Sequence, residues 1–231
     1  MIRLDRYIHE RTKESRDKIK FLIKKGAVTV DYDIVKDPAR KLRGDEEVRI
    51  YEELLPESRF VYYLLYKPSG VVTARSDEKD MTVMDLLFEG EDTDLSPVGR
   101  LDKDTEGVLI ITNDGELNHR LTSPKYHVKK KYYVECDKPF PDNVKEILES
   151  PMEFQDFTTL GSEFEKLTEN TGYLTITEGK YHQVKRMFRR LNLEVTYLRR
   201  DSFGPLTLKG LEKGSSRSLT EEEIRLLKER S

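Results

Sequence analysis

The apolar segments of this chain are short, which limits it to a fold built from brief strands and single helices. Runs rich in aliphatic and aromatic residues occupy 60–66, 108–112, 132–136 and 174–177. Residues 182–191 and the segment after the capping box of Thr220 and Glu223 have helical patterns. Because strands and single helices alternate irregularly, we predict an α+β fold with a mixed, mostly antiparallel sheet flanked by helices. No apolar run approaches the roughly 20 residues of a bilayer span, so we expect no membrane partner.

The first fifty residues show a separate pattern of two helices followed by strands. We predict a helix from Ile2 to His9 and a second helix that begins at the N-cap Ser15 and ends at Gly26. Residues 27–30 and 45–50 have the composition of strands, and residues 52–59 are polar without periodicity, as in a linker. The predicted organisation is therefore a small α/β module with its linker over 1–58 and a larger domain over 59–231.

Positive charge is concentrated in two regions, although the net charge is only −3. Residues 1–25 hold nine basic and four acidic residues, and residues 180–200 hold seven basic residues and one acidic residue. Binding to a polyanion requires a local cationic surface, whatever the average charge. Solvated helix faces would show the same pattern. The candidate phosphate contacts of the first region are Arg3, Arg6, Arg16, Lys20 and Lys24.

Cysteine and histidine are too scarce for a zinc cluster. The chain has one cysteine, Cys136, and four histidines in all, which leaves too few soft ligands for a Cys/His zinc cluster. A single cysteine also cannot form an internal disulfide. Because no charged and apolar leader is recognisable at the N-terminus, we expect the protein in the cytoplasm.

The segment Gly99 to Gly107 is an acidic loop in front of a buried strand. It holds Asp102, Asp104 and Glu106, three carboxylates within five residues. These side chains could satisfy backbone N–H groups in a turn, an Asp-x-Asp pair could hold a divalent cation, or one carboxylate could be a nucleophile kept ionised by a cation. Cationic side chains in the loop and in the distant basic helix favour the nucleophile. They are Arg100, Lys103, Lys185 and Arg186.

Four segments resemble, in the same order, the motifs of the RsuA-type branch of the pseudouridine synthases. Gly99-Arg100-Leu101-Asp102 with 104–107 is similar to the family's signature loop, and residues 179–187 resemble its third motif. Lys67-Pro68-Ser69-Gly70 resembles the first motif, and residues 130–134 resemble the segment that bears the family's tyrosine. The pattern over 4–8, 15–30 and 44–48 resembles a small RNA-binding module of a ribosomal protein. Tyr66 and Lys131 depart from the common residues at their positions.

The resemblance implies a role for several residues. Asp102 would be the nucleophile, Lys185 its cationic partner, and Tyr132 the ring that stacks on the target base. Arg100 would take the place of the extruded base or hold a flanking phosphate. Within the same motifs we predict RNA contacts by Lys67, Gln183 and Arg186. The resemblance implies no cofactor and no metal.

Residues 180–185, with a lysine at the last position, resemble the enzymes for small-subunit RNA more than those for large-subunit RNA. We therefore predict a monomeric enzyme that isomerises one uridine of small-subunit (16S) ribosomal RNA, presented on an assembly intermediate. The base must leave the stack to be reached. The alternatives are a synthase for large-subunit RNA, a non-catalytic RNA-binding protein of the same fold, and a glycosidase that uses Asp102 and Glu106.

Overall fold

The computed structural model describes residues 2–12, 14–43, 46–56, 60–87 and 94–229. The chain divides into two compact units, Met1–Val61 and Tyr62–Ser231. Each unit has its own set of buried apolar side chains. Within the described ranges, every helix is too short or too polar to cross a bilayer.

The N-terminal unit combines two helices with short antiparallel strands. Its elements are β1 (Ile2–Arg3), α1 (Leu4–His9), α2 (Arg16–Lys25), β2 (Val28–Val30), β3 (Asp33–Ile34), β4 (Lys41–Leu42), β5 (Val48–Ile50) and β6 (Glu53–Leu54). Strand β1 pairs with β4, and the remaining strands form a sheet in the order β3-β2-β5-β6. Leu4 and Ile8 of α1 and Ile19 and Ile23 of α2 are fully buried in one core with Val28.

The boundaries of α2 confirm the prediction from its capping residues. The Ser15 hydroxyl accepts a hydrogen bond from the Lys18 N–H at 3.3 Å, and Gly26 ends the helix at φ 80°. Two expectations were wrong. Ile2 and Arg3 pair with β4 as a strand instead of starting the first helix. Residues 53 and 54 form β6 inside the predicted linker, because their backbone pairs with β5; positions 57–59 of that linker, and Gly44 and Asp45, lie outside the described residues.

The second unit is built on a nine-stranded sheet. Its elements are β7 (Tyr62–Lys67), β8 (Ser96–Pro97), β9 (Glu106–Thr112), α3 (Gly115–Thr122), a 3-10 turn at Pro124–Tyr126, β10 (Lys130–Cys136), α4 (Val144–Glu149), β11 (Glu163–Lys166), β12 (Thr171–Ile176), α5 (Gln183–Arg189), β13 (Val195–Phe203), β14 (Leu206–Thr207), β15 (Ser216–Ser218) and α6 (Glu221–Glu229). The strand order is β11-β12-β10-β13-β9-β7-β15, with β14 on β13 and β8 on β9.

The sheet is mixed and mostly antiparallel, as the sequence predicted. Among the described strands of this sheet, β13 and β9 form the parallel pair, and the other pairs are antiparallel. All seven residues of β9 are buried, which explains their nearly continuous apolar sequence. The capping box of Thr220 and Glu223 also forms, with reciprocal hydrogen bonds of 2.9 and 3.2 Å.

Gly107 lies where β9 approaches β13 most closely. Its φ is 118°, and a Cβ at this position would lie 2.2 Å from the carbonyl oxygen of Arg200. No residue with a side chain fits there without moving a backbone. Since Gly107 is the last residue of the acidic segment, this contact fixes the end of that segment against the sheet.

We expect Gly107→Ala to lower the free energy of unfolding by about 3–5 kcal/mol, because the added methyl group combines backbone strain with a clash. Urea denaturation measures the change. Gly115→Ala is the matched control, since a Cβ there meets nothing within 4 Å, and it should change stability by less than about 1 kcal/mol. Equal effects of the two variants would contradict the close approach of the strands.

Candidate active site

Asp102 lies in the loop between β8 and β9 and contacts two basic side chains. One carboxylate oxygen, Oδ2, is 3.0 Å from Lys185 Nζ, and Oδ1 is 3.3 Å from His182 Nε2. The side chain is a quarter exposed, so it is accessible from solvent while its oxygens are held. An ionised carboxylate fixed beside an ammonium is a suitable nucleophile at neutral pH.

Lys185 binds the two aspartates of the loop at the same time. Its Nζ lies 2.5 Å from Asp104 Oδ1 as well as 3.0 Å from Asp102. Burial tends to lower the pKa of Lys185, but hydrogen bonds and charge from Asp104 and Asp102 outweigh it and hold this pKa above its ordinary value. Lys185 is therefore a charged ammonium that orients the loop carboxylates.

Helix α5 carries Lys185 and is anchored by aromatic packing. Its buried residue Phe188 contacts Phe140 and Phe164, with ring centroids 5.8 and 6.1 Å apart. His182 precedes the helix at φ 50°. The predicted helix over 182–191 is thus slightly shorter, and its apolar face places Lys185 toward the acidic loop.

Lys67 stabilises the backbone of the acidic loop through hydrogen bonds. Its side chain is completely buried, and Nζ donates to the carbonyl oxygens of Pro68, Lys103 and Thr105 at 3.1, 3.2 and 2.8 Å. Burial lowers the pKa of Lys67 to about 8, although the carboxylates of Asp104, Asp102 and Glu106 act in the opposite direction. An RNA contact by Lys67 stays a prediction; the structure shows its ammonium buried and bonded to carbonyl oxygens of the loop.

We expect Lys67→Met to lower kcat about 10–100-fold while the Kd for RNA stays within about threefold, because the loop loses its bracing donors but the RNA surface is unchanged. Single-turnover rates and filter binding separate these effects. Lys103→Met is the control, since Lys103 is half exposed and pairs with Asp80 at 2.8 Å. A loss of RNA affinity parallel to the loss of rate in Lys67→Met would contradict the bracing role.

A cavity of about 120 Å³ opens beside Asp102. We call it the Asp102 cavity; its lining includes Arg100, Leu101, Asp102, Lys130, Tyr132, Ile176, Lys180, His182, Gln183, Val184, Lys185, Leu198, Arg200 and Phe203. An apolar cavity of roughly 150 Å³ admits benzene, so this space is about the size of one six-membered ring. The carboxylate therefore lies at a site that can receive a planar heterocycle.

Tyr132 enters the cavity because of the alternation along β10. Lys130, Tyr132 and Val134 are buried on one face of the strand, while Lys131 and Tyr133 lie on the other. The Tyr132 ring is 7% exposed, and its hydroxyl lies 3.5 Å from Arg200 Nη1. An aromatic ring beside a ring-sized space can stack on a base.

The sequence of the second unit matches a known family over the segment that forms this site. Residues 61–190, more than half of the chain, match the family model described as RNA pseudouridylate synthase. The chain belongs to the RNA pseudouridine synthase family. Residues 2–48 match the S4 domain. The N-terminal unit of this synthase therefore corresponds to an S4 domain, and the second unit corresponds to the pseudouridine synthase domain.

Full-length relatives of the synthase support the same assignment. An uncharacterized RNA pseudouridine synthase of Bacillus subtilis is 42% identical over 99% of both chains. A ribosomal small subunit pseudouridine synthase A of Vibrio cholerae is 38% identical over 96% of this chain and 98% of its own. A ribosomal large subunit pseudouridine synthase B of Bacillus subtilis is 34% identical over 99% and 96%. A crystal structure of a pseudouridylate synthase matches with a TM-score of 0.70 and 33% identity, over 98% of this chain and all of the other.

The other acidic residues of the synthase loop have different surroundings from Asp102. Glu106 is 5% exposed and accepts hydrogen bonds from Tyr197 Oη at 2.8 Å and Lys213 Nζ at 3.0 Å. Burial tends to raise the pKa of Glu106, but these two partners hold it below its ordinary value. Glu106 is therefore a buried brace, and the alternative of a glycosidase with Asp102 and Glu106 across a sugar cleft is wrong.

The predicted RNA contacts near the site fall into two groups. Arg100 is exposed, lines the Asp102 cavity and has no hydrogen bond or ion pair with other residues in the described part of the chain. Gln183 is 3% exposed, and its amide binds Glu178 and the Lys180 N–H. Arg186 binds Asp156 with two hydrogen bonds. RNA contacts by Gln183 and Arg186 stay predictions; in this structure the Gln183 amide is buried, and Arg186 is paired with Asp156.

The predicted contacts of the S4 domain also differ from one another. Arg3 is paired with Asp5 at 2.7 Å and Arg6 with Glu10 at 2.8 Å. Arg16, Lys20 and Lys24 instead lie exposed at four-residue intervals on α2, which puts them on one helix face. These three residues form the continuous basic row of this unit.

The sequence analysis missed four basic residues of the site. His182 contacts Asp102, and Lys130, Lys180 and Arg200 line the Asp102 cavity. His182 belongs to the third motif, but its contact depends on the left-handed turn before α5. The signal for Lys130 was its position two residues before Tyr132, on the same strand face.

Proposed function

We propose that this enzyme isomerises one uridine of small-subunit (16S) ribosomal RNA to pseudouridine, with Asp102 as the nucleophile. The supporting observation is that the Asp102 carboxylate, held by Lys185 at 3.0 Å, lies at a ring-sized cavity flanked by Tyr132. Isomerisation requires a group that bonds to the nucleoside and later departs, and a carboxylate does this without a cofactor.

The chemistry begins with extrusion of the target uridine. Unstacking the base takes a few kcal/mol, which stacking on Tyr132 and phosphate contacts offset. Arg100, exposed at the cavity, would fill the vacated place in the helix or hold a flanking phosphate. Asp102 then attacks either C1′ of the ribose or C6 of the base, while Lys185 keeps the carboxylate oriented. Tyr132 would also assist removal of the C5 proton at the end.

The choice of small-subunit RNA rests on the relatives and the third motif. The Vibrio cholerae relative of that name is 38% identical over nearly the whole chain, and residues 180–185 resemble the same subgroup. The S4 domain, with the basic row Arg16, Lys20 and Lys24, would bind folded RNA, so we propose an assembly intermediate as the natural substrate. We further propose a monomer that works in the cytoplasm.

The substrate is tested by mapping carbodiimide-reactive pseudouridines in ribosomal RNA of cells that lack the gene. We expect one site in small-subunit RNA to disappear and to return with the wild-type gene. Purified enzyme on naked 16S RNA and on partly assembled particles then tests the assembly requirement. An unchanged small-subunit map would overturn the assignment.

A second candidate is a uridine of large-subunit RNA. It is favoured by the Bacillus subtilis large-subunit relative, which is 34% identical over almost the full length. The same mapping decides between them, since loss of a site only in large-subunit RNA would establish this alternative.

A further inference from the structure

Two buried cations line the Asp102 cavity without a carboxylate partner. Arg200 is 2% exposed and Lys130 is 7% exposed. Lys130 Nζ donates to carbonyl oxygens of Val128 at 2.9 Å and Thr177 at 3.5 Å. In the described part of the chain neither residue forms an ion pair, unlike Lys185. The cavity is therefore lined by five lysine and arginine side chains, by His182 and by one carboxylate: Arg100, Lys130, Lys180, Lys185 and Arg200 with His182 and Asp102.

The guanidinium of Arg200 is only partly held by the protein. Nε donates to the Val108 carbonyl at 2.8 Å, and Nη1 lies 3.5 Å from the Tyr132 hydroxyl, at the limit of a hydrogen bond. Nη2 is buried and has no hydrogen-bond partner among the described residues. A buried donor without a partner destabilises a fold, and more strongly when it is charged. Such groups are rare in native structures and call for an explanation such as a ligand.

The reaction generates negative charge on the base by either route. If Asp102 bonds to C1′, the N1–C1′ bond breaks and its electron pair stays on the uracil, delocalised over N1, O2 and O4. If Asp102 adds to C6, the electron pair of the C5–C6 double bond moves onto O4. In both cases a carbonyl oxygen of uracil carries more negative charge than in the bound uridine. Donors aimed at such an oxygen accelerate a reaction because they bind the transition state more tightly than the substrate.

We propose that Arg200 is a catalytic residue whose Nη2 group donates a hydrogen bond to a uracil carbonyl oxygen, O2 or O4, as negative charge develops there. Lys130 adds positive charge at the same cavity. If Asp102 is bonded to C1′, it leaves with the electron pair of that bond as C5 bonds to C1′. If Asp102 is bonded to C6, the N1–C1′ bond breaks and C5 bonds to C1′, and Asp102 leaves C6 as loss of the C5 proton restores the C5–C6 double bond. In both routes the C5 proton is lost and N1 gains a proton, so the base is neutral at the end. This inference rests on the proposed isomerisation and adds the group that stabilises the detached or attacked base.

Placement on β13 explains why Arg200 and not its neighbour serves this role. Arg199 points to the other face of the sheet, where it pairs with Asp201 at 2.5 Å. Arg200 lies opposite Gly107 in the parallel pair of β13 and β9. Gly107 is the last residue of the acidic segment that holds Asp102. The close backbone contact between Gly107 and Arg200 therefore fixes the position of Arg200 relative to that segment.

The first test compares Arg200→Met with Arg199→Met in single-turnover isomerisation of a transcript that the wild-type enzyme modifies. We expect Arg200→Met to slow the reaction about 10²–10³-fold, as for loss of one oxyanion donor, while the Kd for RNA changes less than threefold. Arg199→Met should stay within about threefold in rate. A well-folded Arg200→Met enzyme with a rate within threefold of wild type would overturn the proposal.

The second test uses RNA with 2-thiouridine or 4-thiouridine at the target position, because sulfur is a weaker hydrogen-bond acceptor than oxygen. We expect one of the two thio substitutions to slow the wild-type enzyme by a factor at least ten times larger than the factor by which it slows Arg200→Met. The reason is that the variant has already lost the donor. Arg200→Leu, which also lacks a donor, takes the place of Arg200→Met in this cycle if the latter does not fold. If, for both thiouridines, the combined effect of the thio substitution and the Arg200 substitution equals the product of the two separate effects within twofold, the proposal is overturned.

A failure of the proposed function and a failure of the inference about Arg200 give different results. If wild type does not modify small-subunit RNA, the proposed substrate is wrong, and the cycle is run on the ribosomal uridine that the enzyme does modify. If wild type reacts there but Arg200 shows no coupling to either carbonyl oxygen, only the inference about Arg200 is wrong.

Discussion

Asp102→Asn is expected to lower the single-turnover rate of pseudouridine formation by about 10⁴–10⁶-fold, the scale seen when a nucleophile or its essential partner is removed from other enzymes. The amide has nearly the same shape but cannot form the covalent bond. The Kd for RNA should stay within about threefold, because a single loop side chain contributes little to phosphate binding. Tritium release from 5-tritiated uridine in the target RNA measures the rate.

Asp104→Asn is the matched control for this result. Asp104 lies two residues away and binds the same ammonium at 2.5 Å, but its side chain is 71% exposed. We expect its substitution to lower the rate less than about tenfold, since the exposed pair contributes little. Equal losses in the two variants would mean that the loop needs its charge and not a particular nucleophile.

Lys185→Met should also give a large effect, a fall in kcat of about 10²–10³-fold with little change in KM. The ammonium is the group that binds Asp102 at 3.0 Å and Asp104 at 2.5 Å. Its loss leaves the nucleophile with the His182 imidazole as its remaining side-chain contact among the described residues, so the carboxylate is no longer held for attack. Steady-state kinetics on the same transcript separates kcat from KM.

Two further variants test whether the loss of kcat in Lys185→Met is specific to an ammonium that contacts Asp102. Lys185→Arg retains the charge, and its kcat should be at least tenfold higher than that of Lys185→Met. Lys180→Met removes an exposed cation that also lines the Asp102 cavity but makes no ion pair with Asp102, and should change mainly KM. If Lys180→Met lowered kcat as much as Lys185→Met, general attraction of RNA would explain both results.

Much of the local structure was predictable because it depends on neighbours in sequence. The N-cap Ser15, the terminating Gly26 and the capping box of Thr220 and Glu223 all form as predicted, since each closes hydrogen bonds within one helical turn. The β6 strand was missed because its partner β5 supplies the pairing and its own residues have no strand pattern.

The site was predictable only in part. Composition identified an acidic loop and a basic helix, and the order of four motifs singled out Asp102, Lys185 and Tyr132. Sequence alone did not reveal that Lys67 and Gln183 are buried, because a lysine or glutamine in a motif can either bind a ligand or hold a loop. That choice depends on which carbonyl and carboxylate groups surround it after folding.

By itself, the sequence determined the fold class, the family and the residue types available for chemistry, since these follow from periodicity and from the order of motifs. Only the tertiary structure decided the surroundings of each of the three carboxylates of the loop. Glu106 is buried against Lys213 and Tyr197, Asp104 is exposed, and Asp102 lies at the cavity. The physical reason is that the role of a carboxylate depends on its solvent exposure and on the cations within a few ångströms. Those cations come from helices and strands far away in the sequence.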